Sequence, residues 1–199
     1  MHSNQTLTYY DQNAVDFCEN TFHADMSETR GKFLTLVKPA GSILDFGCGS
    51  GRDSLYFKEA GYQVDAIDGS IELCRLARQL TGIPVRQMLF EDFAENDRYD
   101  GIWACASLLH LSEEVLGEVA AQLLKALHPG GILYASFKYG SGERDRKGRH
   151  FLDMDEKLAE EVFVRGNGFY PVDCWITRDV RPGSGEEKWL NLLMKKQDP

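Results

Sequence analysis

One short stretch limits the folds open to this chain more than any other: Ser42 to Asp53, SILDFGCGSGRD. Ile43, Leu44 and Phe46 form a brief apolar run suited to a buried parallel strand. The run breaks into Gly47, Gly49 and Gly51, after which a helical pattern starts. That sequence of events is a strand, a tight turn and the opening of a helix. Glycines at alternate positions remove every Cβ that would hold a ligand off the backbone, and they permit positive φ. The expectation is a loop whose amides press against a bound molecule.

The spacing narrows the ligand. A dinucleotide fingerprint reads G-x-G-x-x-G and sets a pyrophosphate on the helix N-terminus. Here it is G-x-G-x-G, with Asp45 directly before the first glycine. A carboxylate in that place repels a diphosphate and suits a ligand with an ammonium or sulfonium charge. S-adenosylmethionine is such a ligand. Asp68 ends a second apolar alternation, where an acid can accept from both ribose hydroxyls. An ordinary tight turn is the plain alternative for the glycines alone, and an NAD-linked dehydrogenase is the rival cofactor reading.

Four pieces then stand in order: Asp45 to Gly51 (DFGCGSG), Asp68, Tyr99 to Ala104 (YDGIWA) and Leu127 to Gly131 (LHPGG). Together they resemble the motifs of the class I S-adenosylmethionine-dependent methyltransferases over about residues 30 to 140. The resemblance implies a Rossmann-like α/β fold. Its sheet would have seven mostly parallel strands with helices on both faces, a three-layer αβα sandwich closed by a C-terminal antiparallel hairpin. It implies one methyltransferase domain over residues 1–199, with 1–38 as an N-terminal cap and 39–199 as the core. The cofactor set it implies is Asp45, Gly47, Cys48, Gly49, Gly51 and Asp68. Leu89 and Phe90 would flank the adenine, Glu91 or Asp92 would accept from its amine, and a backbone carbonyl near Ala104 would take the methionyl ammonium. Arg30 is a candidate for the methionyl carboxylate, or else a solvated helix charge. Phe90 has core packing as its alternative.

Length and composition fit one such domain. The chain has 199 residues, 43% of them hydrophobic and 27% charged, enough for a real core but cramped for two. A formal net charge of -9 argues against a sequence-independent grip on nucleic acid. There is no apolar run of membrane-spanning length and no secretory signal at the start, so a cytoplasmic protein is expected, with no membrane partner and as a monomer or homodimer. Five widely spaced cysteines, 18, 48, 74, 105 and 174, include no C-x-x-C pair. They read as reduced thiols, with no metal site.

Along the chain, the first part of residues 14–37 reads as irregular and Ser27 to Lys38 as a helix capped by Ser27 and ended by Pro39. Helices are expected over 53–60, 71–80, 113–127 and 155–166, with strands over 63–68, 84–89, 99–105, 132–137, 170–179 and 188–195. Residues 181–185 would join the last two strands. Lys138 to His150, KYGSGERDRKGRH, is a glycine-broken, locally basic stretch that reads as an acceptor-binding lid or as solvated surface.

No acid/base pair is evident. His110, Tyr10 and Lys138 are the candidates for a role at the transfer centre. His110 has a packing role as its alternative, and so does Tyr10, with Tyr9, as part of a lid. The segment Ala106 to His110 (ASLLH) and the bare core look like the small-molecule methyltransferases near the tellurite-resistance, TehB-like type. The place after the fourth strand holds CASL instead of an N-P-P-Y tetrapeptide, which speaks against adenine or glutamine amide methylation. The expected acceptor is small and soluble, an oxyanion such as tellurite or selenite or another soft nucleophile. A non-catalytic S-adenosylmethionine-binding regulator, and an enzyme acting on a protein or nucleic acid, are the other readings.

Overall fold

Alternating apolar residues decide where this sheet sits. In the computed structural model, which describes residues 2–181 and 186–197 with side chains from residue 5, they point to opposite faces of every central strand. The elements in chain order are α1 (His2–Gln12), α2 (Ala14–Phe22), α3 (Ser27–Leu34), β1 (Ser42–Phe46), α4 (Arg52–Glu59), β2 (Gln63–Asp68), α5 (Ile71–Thr81), β3 (Arg86–Gln87), β4 (Tyr99–Ala104), α6 (Glu113–Ala126), β5 (Leu127–Lys138), β6 (Gly142–Arg146), β7 (Arg149–Asp153), α7 (Glu156–Ala159), β8 (Tyr170–Arg178) and β9 (Lys188–Lys195).

The main sheet runs β3-β2-β1-β4-β5-β9-β8. Its first five strands pair in parallel, and β9 pairs antiparallel with both β5 and β8. This is the expected doubly wound sheet with a C-terminal hairpin. Leu44, Phe46, Ile102, Ala104, Leu133 and Ala135 pack on one face with Leu116, Val119 and Leu123 of α6. Ile43, Trp103, Ile132 and Tyr134 pack on the other with Phe33 of α3 and Phe57 of α4. Trp103 stacks on Tyr134 with ring centroids 4.0 Å apart, a pair worth about 1 kcal/mol beyond its burial. Among the described residues no helix is long and apolar enough to cross a membrane.

Local chemistry sets the helix ends. Ser70 caps α5 by accepting from Leu73 N at 3.1 Å, and Gly82 stops it in the left-handed region. Ser112 caps α6 in the same way.

Several boundaries depart from expectation. Residues 14–22 are helical, not irregular, because Ala14 and neighbouring side chains find a tertiary surface that periodicity alone does not reveal. Ser27 is the first helical residue and not the cap; its amide donates to the Asp25 carboxylate at 2.9 Å, and the helix stops at Leu34, short of Pro39. The third strand shrinks to Arg86–Gln87, an edge pairing of two residues. The fifth begins at Leu127, five residues early, because the backbone of Gly130 and Gly131 exchanges hydrogen bonds with Lys196. The basic stretch after β5, for which no strand is expected, forms a β6–β7 hairpin. The expected helix over 155–166 is one α-helical turn that widens into a π-helical segment, Glu160–Arg165. Of the expected 181–185 connection, 182–185 lie outside the described residues.

Candidate active site

The carboxyl ends of β1, β2, β4 and β5 open onto a cavity of about 980 Å³, where an open α/β sheet places its ligands. Its floor is the glycine turn. Gly47, Gly49 and Gly51 have φ of 83°, 55° and 80°, so each needs the freedom that glycine gives. A Cβ on Gly47 would lie 2.4 Å from Ser107 Cβ and 2.9 Å from Phe90 Cζ, and one on Gly49 would lie 3.0 Å from the Phe17 ring.

The expectation that the loop's amides face a ligand needs correction. Gly47 N and Cys48 N both donate to Ile67 O, at 3.0 and 2.9 Å, and Gly49 N donates to Asp68 Oδ2 at 2.9 Å. The glycines are therefore needed for a turn that packs against its own protein and is anchored to β2. Gly47, Cys48 and Gly49 still line the cavity; Gly51 does not, being packed against Ala77 and Thr81 of α5. Burial pushes the Cys48 thiol well up, so it stays protonated and contributes bulk, not nucleophilicity.

Two buried carboxylates stand at this turn. Asp45 accepts from Ser54 Oγ at 2.6 Å. Burial, reinforced by the nearby Asp53 carboxylate, pushes its pKa up to about 7. Asp68 accepts from Ser70 N and Gly49 N, yet burial still raises it to about 6. Both line the cavity, and both lack a cation close enough to hold them in the usual carboxylate range.

Arg30 does not line the cavity. Its guanidinium is 3.3 Å from Asp53 and lies 4.0 Å over the Tyr56 ring. Arg52, in the first turn of α4, does face the cavity. It meets Asp53 at 2.9 and 2.6 Å and donates to Thr21 O at 3.1 Å. Asp53 also accepts from Trp103 Nε1 at 2.9 Å, so one buried carboxylate fixes two arginines and a tryptophan. Sequence reading passed over Arg52 and Asp53 as a helix start; the only signal available was their place directly after the glycines.

Leu89, Phe90 and Glu91 line the wall beyond β3, and Phe90 is stacked on Phe46 with centroids 4.5 Å apart. Ala104 is fully buried and does not reach the cavity; Cys105, Ala106 and Ser107 do. Ser107 Oγ donates to Phe46 O at 2.6 Å, tying this loop to β1.

The remaining wall comes from α1 and the β6–β7 hairpin. Tyr10 Oη lies 2.8 Å from His110 Nε2, and His110 Nδ1 lies 2.7 Å from His150 O. A carbonyl only accepts, so Nδ1 carries the proton and Tyr10 donates to Nε2. Burial lowers the His110 pKa to about 4, making it a neutral ring with both nitrogens engaged. Lys138 reaches the cavity, but its ammonium is held by Glu187 at 2.6 Å. Of the three candidates for the transfer centre, Tyr10 and His110 form one unit and Lys138 belongs to a separate ion pair.

The residues present fit S-adenosylmethionine. Asp45 and Asp68 are unneutralised buried acids beside a turn too tight for side chains, and a cationic ligand end supplies the missing charge. Phe90 and Leu89 offer apolar surface to a base. Among the described residues, no three His, Cys, Asp or Glu side chains cluster as metal ligands.

Residues 43–131 match the family model described as a methyltransferase domain. The chain is 40% identical to malonyl-[acyl-carrier protein] O-methyltransferase of Pectobacterium atrosepticum over 135 residues, 62% of this chain and 50% of that protein. It spans about half the length of the curated relatives it matches. Among solved structures it resembles Burkholderia thailandensis 1,6-didemethyltoxoflavin-N1-methyltransferase with bound 1,6-didemethyltoxoflavin and S-adenosylhomocysteine, at a TM-score of 0.77 and 23% identity, covering 96% of this chain and 87% of that one. A TehB-like S-adenosylmethionine-dependent methyltransferase from Corynebacterium glutamicum superposes at a TM-score of 0.70 and 20% identity, covering 96% and 98%.

Proposed function

We propose that this chain, which has the fold of the class I S-adenosylmethionine-dependent methyltransferases, is an enzyme of that kind and methylates a small soluble acceptor. The observation that carries the reading is the mixed lining of one cavity. It brings together the buried acids Asp45 and Asp68 and the basic, aromatic residues of α1 and β7.

Asp45, Asp68 and the glycine turn would hold the donor, with Leu89, Phe90 and Glu91 beside its base and Arg52 the cation nearest the turn. When bound, S-adenosylmethionine supplies a methyl group already activated by a positive sulfur. The protein's task is then alignment and exclusion of water. α1 and the hairpin serve the second purpose: Thr6 Oγ1 accepts from His150 N at 3.1 Å and joins them over the cavity.

His110 bears on the acceptor. A neutral imidazole whose accepting lone pair is taken by Tyr10 is a poor general base at neutral pH. This supports an acceptor that arrives with its lone pair free, such as an oxyanion, a carboxylate or a soft nucleophile. Tellurite and selenite remain within that class. Five free thiols support a reducing, cytoplasmic setting.

A second reading is favoured by the similarity to a malonyl-carrier methyltransferase: a carboxylate carried on another protein. A panel of methyl-labelled S-adenosylmethionine reactions separates the two. It would include tellurite, selenite, small thiols, free carboxylic acids and malonyl-loaded carrier protein. Label on a small acceptor supports the first reading, and label on the carrier alone supports the second. Failure to bind S-adenosylmethionine at millimolar concentration overturns both.

A further inference from the structure

The cations around the hairpin differ in how they are neutralised. Arg144 meets Asp153 at 2.9 Å, Arg146 meets Glu187 at 2.9 Å, and Lys138 meets the same Glu187 at 2.6 Å. Lys147, at the turn, is exposed and solvated. Arg149 is different. Among the described residues no carboxylate lies within ion-pair distance of it, and its Nε is buried without a hydrogen-bond partner.

What surrounds Arg149 is aromatic. Its guanidinium carbon lies 4.3 Å from the Tyr9 ring centroid, 5.1 Å from that of Phe151 and 5.9 Å from that of Tyr10. The π faces hold the plane of the cation without using its N–H groups. The backbone behind it is equally fixed, since Arg149 pairs with Arg146 in the hairpin and the next amide is latched to Thr6. This is a preorganised, partly desolvated guanidinium on the cavity wall that, among the described residues, no carboxylate neutralises.

We propose that Arg149 selects the methyl acceptor by binding a carboxylate or comparable oxyanion on it through its guanidinium. The proposal rests on reading the cavity as a methyl-transfer site. A partly desolvated guanidinium without a carboxylate partner is poorly compensated, and a planar anion supplies the missing charge through charge-assisted hydrogen bonds. A neutral acceptor of the same shape leaves that charge uncompensated and is discriminated against for that reason. The cavity is large enough for donor and small acceptor together, and Arg149 lines it along with the acids that would hold the donor.

The test is calorimetric titration of the full chain, saturated with S-adenosylhomocysteine, using benzoate and malonate as probes against their amides, benzamide and malonamide. At least one carboxylate is expected to bind about tenfold or more tightly than its amide. Arg149→Met and Arg149→Lys are both expected to remove that preference while S-adenosylhomocysteine still binds. Equal binding of acid and amide by the wild-type chain overturns the proposal without needing either variant to fold. So does an Arg149→Met protein that keeps the full preference for the acid. Failure of the wild-type chain to bind S-adenosylhomocysteine overturns the methyl-transfer reading itself, and this proposal with it.

Discussion

The hydroxyl of Tyr10 and Nε2 of His110, one hundred positions apart in the chain, lie 2.8 Å from each other at the cavity wall. With His150 O on the far side of the ring, this bond fixes one tautomer of a neutral histidine and joins α1, the loop after β4 and β7. The function of the pair is structural before it is chemical.

Tyr10→Phe is therefore expected to destabilise the fold by about 1–3 kcal/mol, the cost of leaving a buried acceptor without its donor. Urea unfolding measures this. In wild type, the His110 ring should show no titration between about pH 6 and pH 8 by NMR. Its folded pKa is depressed, so its contribution to stability is present above the unfolded value of 6.5 and lost as pH falls through about 4. A His110 resonance that titrates near neutrality contradicts the assignment.

Donor binding should be coupled to proton release. Asp45 and Asp68 are raised to about 7 and about 6, so the ligand-free fold holds protons that the unfolded chain has lost. Their contribution to ligand-free stability accordingly falls as pH rises from the ordinary aspartate value of 3.8 through these values. A cation seated beside them expels the protons. S-adenosylmethionine affinity should then rise with pH across this window, by up to about tenfold per pH unit for each proton released. Calorimetry in buffers of different ionisation enthalpy reads the proton count directly, and Asp45→Asn should lower it.

Gly47→Ala combines a left-handed φ of 83° with contacts of 2.4 and 2.9 Å. Gly61→Ala, at φ 90° but in open space, isolates the backbone strain, about 1 kcal/mol. The difference between the two in thermal unfolding measures the packing of the turn on Ser107 and Phe90, and Gly47→Ala should be the worse by a clear margin. Gly117→Ala, in α6 with no atom near the added Cβ, is expected to stabilise by about 0.5–1 kcal/mol.

Asp53→Ala leaves Arg30, Arg52 and Trp103 Nε1 without their shared acceptor. A loss of about 3–5 kcal/mol is expected, as for other broken buried ion pairs. Arg30→Gln should cost less, because Arg52 still neutralises Asp53. It should also leave S-adenosylmethionine affinity nearly unchanged, since Arg30 is turned away from the cavity. A large loss of affinity in Arg30→Gln would restore it as a carboxylate partner.

The order of β1, the glycine turn and β2 was legible because short-range patterns determine it: Ile43, Leu44 and Phe46 must be buried, and Asp68 ends the next apolar run. The cavity's far wall was not, for two reasons. α1 is polar and gains its place only through tertiary contacts, with β7 and, through Asp11, with the start of α5. β6 is exposed throughout, so no apolar alternation marks it as a strand. The arginines show a third limit. Nothing local distinguishes Arg30 from Arg52; which one reaches the cavity is decided by the position of Asp53 between them.

The latch between Thr6 and His150 spans 144 positions of chain. A nascent polypeptide can complete the glycine turn soon after its first strands emerge, but the chamber acquires its cover only once the hairpin has been synthesised and has met the first helix. Fragments ending before that point would display the acids of the turn to open solvent, so retention of the donor becomes a late event in biogenesis and a sensitive gauge of whether both distant segments have joined.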